Sequence, residues 1–271
     1  MKFKHCLAAS AAICGAAYYA IHGRTGHPDL HRLKNWNYAH RGLHCPGRPE
    51  NSMMAFRAAL EQGYGIELDV HLLKDGGLAI IHDSKLKRTA GQEGRVEDLT
   101  VADLENCFLE GTRETIPTLQ QVLELYDGKA PLIIELKPVE GNHAQLCQTV
   151  CDLLEGYRGL YCLESFDPRC VKWLKENRPK LIRGQLTEYF VESDPNMPAA
   201  LRFLLSHNLL NWMGRPDFVA YRFSHRKKSF TNRIWKDWLG LQGVAWTLKN
   251  EAEHAQALEE DWIPIFEDYM P

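Results

Sequence analysis

The sequence has no surplus of positive charge: 32 Lys and Arg stand against 35 Asp and Glu, a formal net charge of −3. It offers no global basic field to nucleic acid, so any recognition of phosphate has to be local. No CxxC pair occurs among the eight cysteines (Cys6, Cys14, Cys45, Cys107, Cys147, Cys151, Cys162 and Cys170), which argues against a zinc knuckle. Their loose spacing is unlike the disulfide framework of a small secreted domain and fits buried, reduced thiols. No GxGxxG follows the first β-rich run, which weighs against a dinucleotide-binding sheet. At the N-terminus an apolar run, Leu7 to Ile21, has a length between a signal-peptide core and a full membrane span. With Lys2 and Lys4 ahead of it, it reads as a signal-anchor or uncleaved tether, the N-terminus cytoplasmic and the domain outside. Cleavage after Ala17 and a buried helix are the alternatives, and the free-looking cysteines argue for the cytoplasmic face. The expected division is therefore a tether and polar linker over residues 1–34 and a folded domain over residues 35–271.

What is present is alternation. Hydrophobic residues make up 45% of the chain, enough for a sizeable core. Strands are expected near residues 37–41, 65–70, 132–137, 161–165, 181–186, 218–221, 244–247 and 263–266. Helices are expected between them, at 52–62, 118–126, 143–155, 168–177, 198–213 and 251–260, with Ser52 and Thr118 as N-caps. Strands that alternate with helices pair in parallel through crossovers, and about eight such units predict a closed (β/α)8 TIM barrel, with an open doubly wound sheet as the alternative. One segment breaks the rhythm. ELDVHLLKDGGLAIIHD runs out as a strand, turns at Lys74-Asp75-Gly76-Gly77 and returns. Together with the charged, Gly-rich stretch after it, this forms a small insertion over residues 71–116, after the second strand, too short for a separate domain.

The chemistry-bearing residues gather at strand ends. The run NYAHRG ends in His40, Arg41 and Gly42, an imidazole and a guanidinium that a purely structural strand would not need. Glu67 and Asp69, two apart on one strand, share a face, while Ile66, Leu68 and Val70 take the other. If the aliphatic face meets the helices, the two acids face the barrel interior, where they need a cation or a shared proton. A hairpin centred on Asp75 and Gly76 would set His82 opposite Asp69 or Val70. In PLIIELKP, Glu135 and Lys137 share a face; alone they read as a salt bridge, but beside Glu67 and Asp69 Glu135 supplies a third oxygen ligand. Three carboxylates suit a hard cation, Mg²⁺ or Ca²⁺, rather than Zn²⁺. Arg41 and Lys137 offer positive charge to an anionic group. His40 and His82 would then flank a phosphate as an acid–base pair, with Gly42 allowing close backbone approach. Glu50 and Asn51 either fold back over this site or cap the helix that starts at Ser52.

Taken together, AHRG (39–42), PENS (49–52) with MMAFRAAL after it, GIELDV (65–70), IIHD (80–83), IELK (134–137), SF (165–166), AWT (245–247) and the C-terminal IFEDYMP occur in an order that resembles the glycerophosphodiester phosphodiesterase family. The resemblance spans residues 37–271. It implies a TIM barrel that hydrolyses glycerophosphodiesters to sn-glycerol 3-phosphate and an alcohol with Mg²⁺ or Ca²⁺. Position by position it implies Glu67, Asp69 and Glu135 as metal ligands, His40 and His82 as acid and base, and Arg41 and Lys137 as phosphate contacts. It further implies that Trp246 packs near the glycerol or leaving group and that Ser165 and Phe166 line the pocket. The implied route is attack by the substrate's own glycerol hydroxyl, whose proximity favours it over a separate nucleophile, with direct water attack as the alternative. Residues 83–116 and 191–233 match only loosely, and the basic, aromatic run Tyr221–Lys228 reads either as a contact to anionic lipid or as a solvated loop. Lysophospholipase D-like or phospholipase C-like activity on membrane lipid is the competing enzyme reading, and a non-catalytic tethered barrel the competing class.

Overall fold

The computed structural model describes residues 15–271. Among the described residues, nine strands form one sheet: β1 (Tyr38–His40), β2 (Gly65–Leu72), β3 (Leu78–Ile80), β4 (Leu132–Leu136), β5 (Tyr161–Ser165), β6 (Arg183–Thr187), β7 (Phe218–Arg222), β8 (Gln242–Leu248) and β9 (Trp262–Phe266). All but β3 pair in parallel, and β1 hydrogen-bonds to both β2 and β9, so the eight parallel strands close into a barrel. The doubly wound alternative is thereby excluded. Strand β3 pairs antiparallel with β2 outside the ring.

Period-two alternation sorts the side chains into two layers. Ile66, Leu68 and Val70 of β2 and Ile134 of β4 point outward into a shell shared with Phe56, Val122 and Leu146 of the surrounding helices. Tyr38, Ile133, Cys162, Phe218, Val244 and Ile263 point inward and fill the lower barrel. The longer helices fall within the predicted stretches: α1 (Met53–Glu61), α2 (Leu119–Tyr126), α3 (His143–Leu154), α4 (Pro168–Asn177), α5 (Ala199–Ser206) and α6 (Glu251–Glu259). Ser52 caps α1 by accepting from the Ala55 amide, and Thr118 forms a capping box with Gln121 at α2. All six cysteines among the described residues are unpaired, and five of them are buried.

Four expectations change. The helix expected over residues 198–213 is interrupted after Ser206 and resumes only as a short turn, Asn211–Gly214; Asn208 takes a left-handed backbone that a continuous helix cannot hold. The connection from β7 to β8 has no regular α-helix and uses 3-10 and π turns, Phe223–His225 and Ile234–Trp238. The hairpin loop spans residues 73–77, so Ile80 pairs with Val70, and the Ile81 amide donates to the Asp69 carbonyl. His82 therefore lies one step further along than a turn centred between Asp75 and Gly76 implies. Finally, residues 22–34 do not form a free linker. Arg24 pairs with the buried Asp217 at 2.5 Å and donates to the Leu181 carbonyl, and the short helix Leu30–Leu33 plugs the N-terminal end of the barrel, where Tyr38 donates to the Leu33 carbonyl.

The apolar run of residues 7–21 lies partly outside the described residues; residues 15–21 are helical, and no helix among the described residues is long and apolar enough to cross a membrane. The insertion has a small apolar cluster of its own, including Leu73, Ile81, Leu86, Val96, Leu104 and Ile116.

Candidate active site

The site sits at the C-terminal ends of β1, β2, β4 and β5, where a barrel presents its chemistry. Glu67 and Asp69 share the inward face of β2, and Asp69 pairs in register with Glu135 on β4. All three carboxylates are buried, and one oxygen from each lies within 4.8 Å of the others. Lys137 bridges two of them, its Nζ 2.7 Å from Glu135 and 3.0 Å from Asp69. Arg41 holds Glu50 at 3.0 Å and approaches Asp69 to 3.5 Å, while its backbone N–H donates to Glu67. That amide is aimed by the chain's turn at the tip of β1, where Arg41 and Gly42 are both left-handed.

Burial, helped by the charges of Asp69 and Glu135, pushes the Glu67 carboxyl well above the ordinary carboxylate range. Glu135 is pushed up to about 7 by the same desolvation, against the pull of Lys137. Burial also works to raise Asp69, but Lys137, His82, Arg41 and the Asn51 amide overcome it and hold the carboxyl well below its usual range. Glu164 on β5, in register with Glu135, is a fourth buried acid, and desolvation raises it as well. Four buried carboxylates against two permanent cations, Arg41 and Lys137, leave the interior short of positive charge. A hard divalent cation on Glu67, Asp69 and Glu135 fits both that deficit and the all-oxygen donor set.

The two histidines face the same cavity, which Trp246 and Phe166 also line. His40 Nδ1 lies 2.7 Å from Glu267, and its Nε2 is 3.8 Å from Glu67. His82 Nδ1 lies 2.6 Å from Asp83, itself gripped by Arg88. Desolvation lowers both imidazoles, His82 to about 4. Phe166 meets Trp246 edge to face, with ring centres 5.7 Å apart. Ser165 is turned away from this group: its hydroxyl donates to the Leu136 carbonyl and accepts from the Asp167 amide, so it ties strand ends together instead of lining the cavity. Of the two readings for Glu50 and Asn51, the folded-back loop holds. Asn51 donates to Asp69 at 2.8 Å, Glu50 links Arg41 to Arg88, and Ser52 itself serves as the cap.

Sequence reasoning missed the partners. Glu267 and Asp83 lie within the motifs FED and IIHD, but nothing local marks them as orienting acids. Glu164 was hidden because a lone acid in YCLES carries no period-two partner. Also missed was a dyad behind His82, formed by the buried His71 and the part-buried Glu97. His71 Nδ1 lies 2.7 Å from Glu97, and its Nε2 lies 3.2 Å from the His82 carbonyl, so both ring nitrogens face acceptors. Desolvation opposes ionisation of Glu97, but bonds from His71 and Ser84 prevail and bring it down to about 2. A carboxyl lowered in this way stabilises the fold above its unfolded value near 4.5, and that stability is lost as pH falls from there toward 2. Glu97→Gln is expected to cost roughly 3 kcal/mol at pH 7 and to leave a flatter acid limb, read by urea melts from pH 7 to 3. An unchanged acid limb would contradict this.

Gly42 is similarly exacting. Its φ is +79°, and an added Cβ would lie 2.9 Å from the Ala55 backbone and from the Phe56 ring. Gly42→Ala is expected to destabilise by about 2 kcal/mol in chemical denaturation and to disturb His40 and Arg41 beside it. A neutral substitution would show that α1 can yield.

A closed parallel barrel with acids, imidazoles and fixed cations converging at its C-terminal mouth is the architecture of a TIM-barrel hydrolase. The family model described as "Glycerophosphoryl diester phosphodiesterase family" matches residues 40–270, and the chain belongs to that family. A glycerophosphodiester phosphodiesterase of Bacillus altitudinis is 46% identical over 107 residues, which cover 37% of this chain and 43% of that protein. The Bacillus subtilis protein YhdW is 31% identical over 241 residues, 83% of this chain and 91% of that one. Among solved structures, an Oleispira antarctica phosphodiesterase in complex with the product sn-glycerol-3-phosphate superposes with a TM-score of 0.70 at 23% identity, over 91% of this chain and 96% of that one.

Proposed function

We propose that the chain hydrolyses glycerophosphodiesters to sn-glycerol 3-phosphate and an alcohol. The observation that carries this reading is the convergence of three buried carboxylates, with His40 and His82 facing the same cavity. Glu67, Asp69 and Glu135 would hold Mg²⁺ or Ca²⁺, which when bound supplies Lewis-acid stabilisation of the phosphoryl oxygens. Arg41 and Lys137, part-buried and already paired with these acids, would orient the phosphate and draw the carboxyls toward the ionised form. Glu267 and Asp83 occupy the Nδ1 atoms of His40 and His82, so proton transfer falls to the Nε2 atoms. Burial biases both imidazoles toward the neutral form, which can act as a base; a bound phosphate would add negative charge and draw an imidazole back toward the acid form. Trp246 and Phe166 supply the apolar wall for the glycerol carbons or the leaving group.

The test is release of sn-glycerol 3-phosphate from glycerophosphocholine by the full chain. No release from any glycerophosphodiester would overturn the reading, and faster turnover of lysophosphatidylcholine than of the deacylated diester would move it to a lysophospholipase D. The apolar run of residues 7–21 is proposed as a membrane tether, and a reporter fused to residues 1–34 that stays uncut and unattached would end that proposal.

A further inference from the structure

A second cleft lies on the outer flank of the barrel, along the β7–β8 connection, whose basic, aromatic sequence the reaction leaves unused. Its volume is about 580 Å³, and it shares no lining residue with the cavity of the acids and imidazoles. Arg226, Lys227, Arg233 and Lys236 line it against two acids, Asp237 and Glu260. Glu260 is held by Arg226 at 2.7 and 2.9 Å. Lys236 approaches Asp237 only to 3.8 Å, and Lys227 and Arg233 are exposed, with no ion-pair partner among the described residues. In a chain of net charge −3 this is a local excess of positive charge. The walls are preformed. The buried Trp235 meets Trp262 edge to face at 5.9 Å and donates to Asn232. Trp262, 5% exposed, lines the cleft, and its Nε1 has no partner at hydrogen-bond distance among the described residues.

Two large aromatics stand in solvent beside these cations: Phe230 on the cleft wall, 61% exposed, and Trp238, one residue past Asp237, 77% exposed. A soluble anion would need the cations but not the protruding rings, which gain only where an apolar phase begins. A lipid surface that carries phosphate supplies both. The course of the chain agrees. Gly23 packs against Leu241 and Lys34 pairs with Asp261 at 3.0 Å, so the segment that follows the apolar run of residues 7–21 passes beside this flank.

We propose that the cleft docks the barrel on an anionic lipid surface, with Lys227, Arg233 and Lys236 on headgroup phosphates and Phe230 and Trp238 in the interface. The proposal is independent of the phosphodiesterase reading and needs no turnover.

The experiment is co-sedimentation of the full chain with phosphatidylcholine vesicles and with vesicles in which about one-third of the lipid is phosphatidylglycerol. Whatever the residues before the barrel contribute is common to every variant, so a change in the ratio of the two affinities reads the cleft. The wild type is expected to prefer the anionic vesicles by about thirtyfold or more, a preference that about 0.5 M salt removes. Lys227→Gln combined with Arg233→Gln, both exposed and unpaired and therefore harmless to the fold, should cut the preference by about tenfold or more, since each cation adds about fivefold at such a surface. Phe230→Ala with Trp238→Ala should weaken binding to both vesicles several-fold and keep the ratio. Removing three charges elsewhere, at the exposed Lys85, Arg113 and Lys129, should alter the ratio by no more than about twofold. An unchanged ratio in the Lys227 and Arg233 double variant overturns the proposal. So does an equal fall in the control variant, which would make the attraction a property of the whole surface. Equal affinity of the wild type for the two vesicles overturns it too. Calorimetric binding of inorganic phosphate would in that event give the cleft to a soluble anion, and a dimer abolished by the aromatic variant would give it to a second copy of the chain.

Discussion

His40→Ala is expected to lower kcat on glycerophosphocholine by about 10²- to 10⁴-fold, and His82→Ala to do the same. Each removes one of the two imidazoles that face the cavity, and no other histidine among the residues lining it can take over. The fold should survive, because Glu267 keeps Lys249 as an ion-pair partner at 2.9 Å and Asp83 keeps Arg88 at 2.5 Å. Steady-state kinetics beside a thermal melt decide the matter. The orienting acids give a graded control: Glu267→Gln and Asp83→Asn leave both imidazoles in place and should cost less than the alanine variants, with the loss in kcat and not in KM. Activity close to wild type in either alanine variant, with the melt unchanged, would remove that histidine from the chemistry.

Chelation is expected to reduce activity to background, a fall of about 10³-fold or more, with recovery on adding Mg²⁺ or Ca²⁺. The physical ground is the crowding of Glu67, Asp69 and Glu135 beside Glu164, which Arg41 and Lys137 only partly offset. Glu67→Gln separates metal binding from turnover. Burial and like charge hold the Glu67 carboxyl high, so an ionised Glu67 opposes folding of the metal-free chain at pH 7. The glutamine variant should therefore melt no lower than the wild type without metal, yet lose the rise in Tm that Mg²⁺ confers on the wild type. Full activity in chelator, or an undiminished Mg²⁺ shift in Glu67→Gln, would refute the metal centre.

The barrel was legible because its signals are local and periodic. Alternation in GIELDV separates the acids from the aliphatics, and the structure keeps that separation, with Ile66, Leu68 and Val70 in the outer shell and Glu67 and Asp69 inside. Ser52 and Thr118 announced two helix starts through side chains that bond within three residues. What stayed hidden depends on distant contacts or on a single loop residue. Glu267 reaches His40 across 227 positions, a relation without a pattern in sequence. The hairpin register turned on whether the loop is centred on Asp75 or between Asp75 and Gly76, a half-residue difference that composition does not resolve. Residues 22–34 look polar and linker-like, yet Arg24 finds a buried partner 193 positions away. Ser165 matched a motif by identity, while its hydroxyl is spent on the backbone.

The strap beneath the barrel also fixes an orientation. Arg24 meets Asp217 just ahead of β7, and Leu33 sits under Tyr38 at the start of β1, so the chain enters at the pole opposite the acids and imidazoles. Any attachment made through the residues before this strap would suspend the molecule by its closed end, with the open end directed into the aqueous phase.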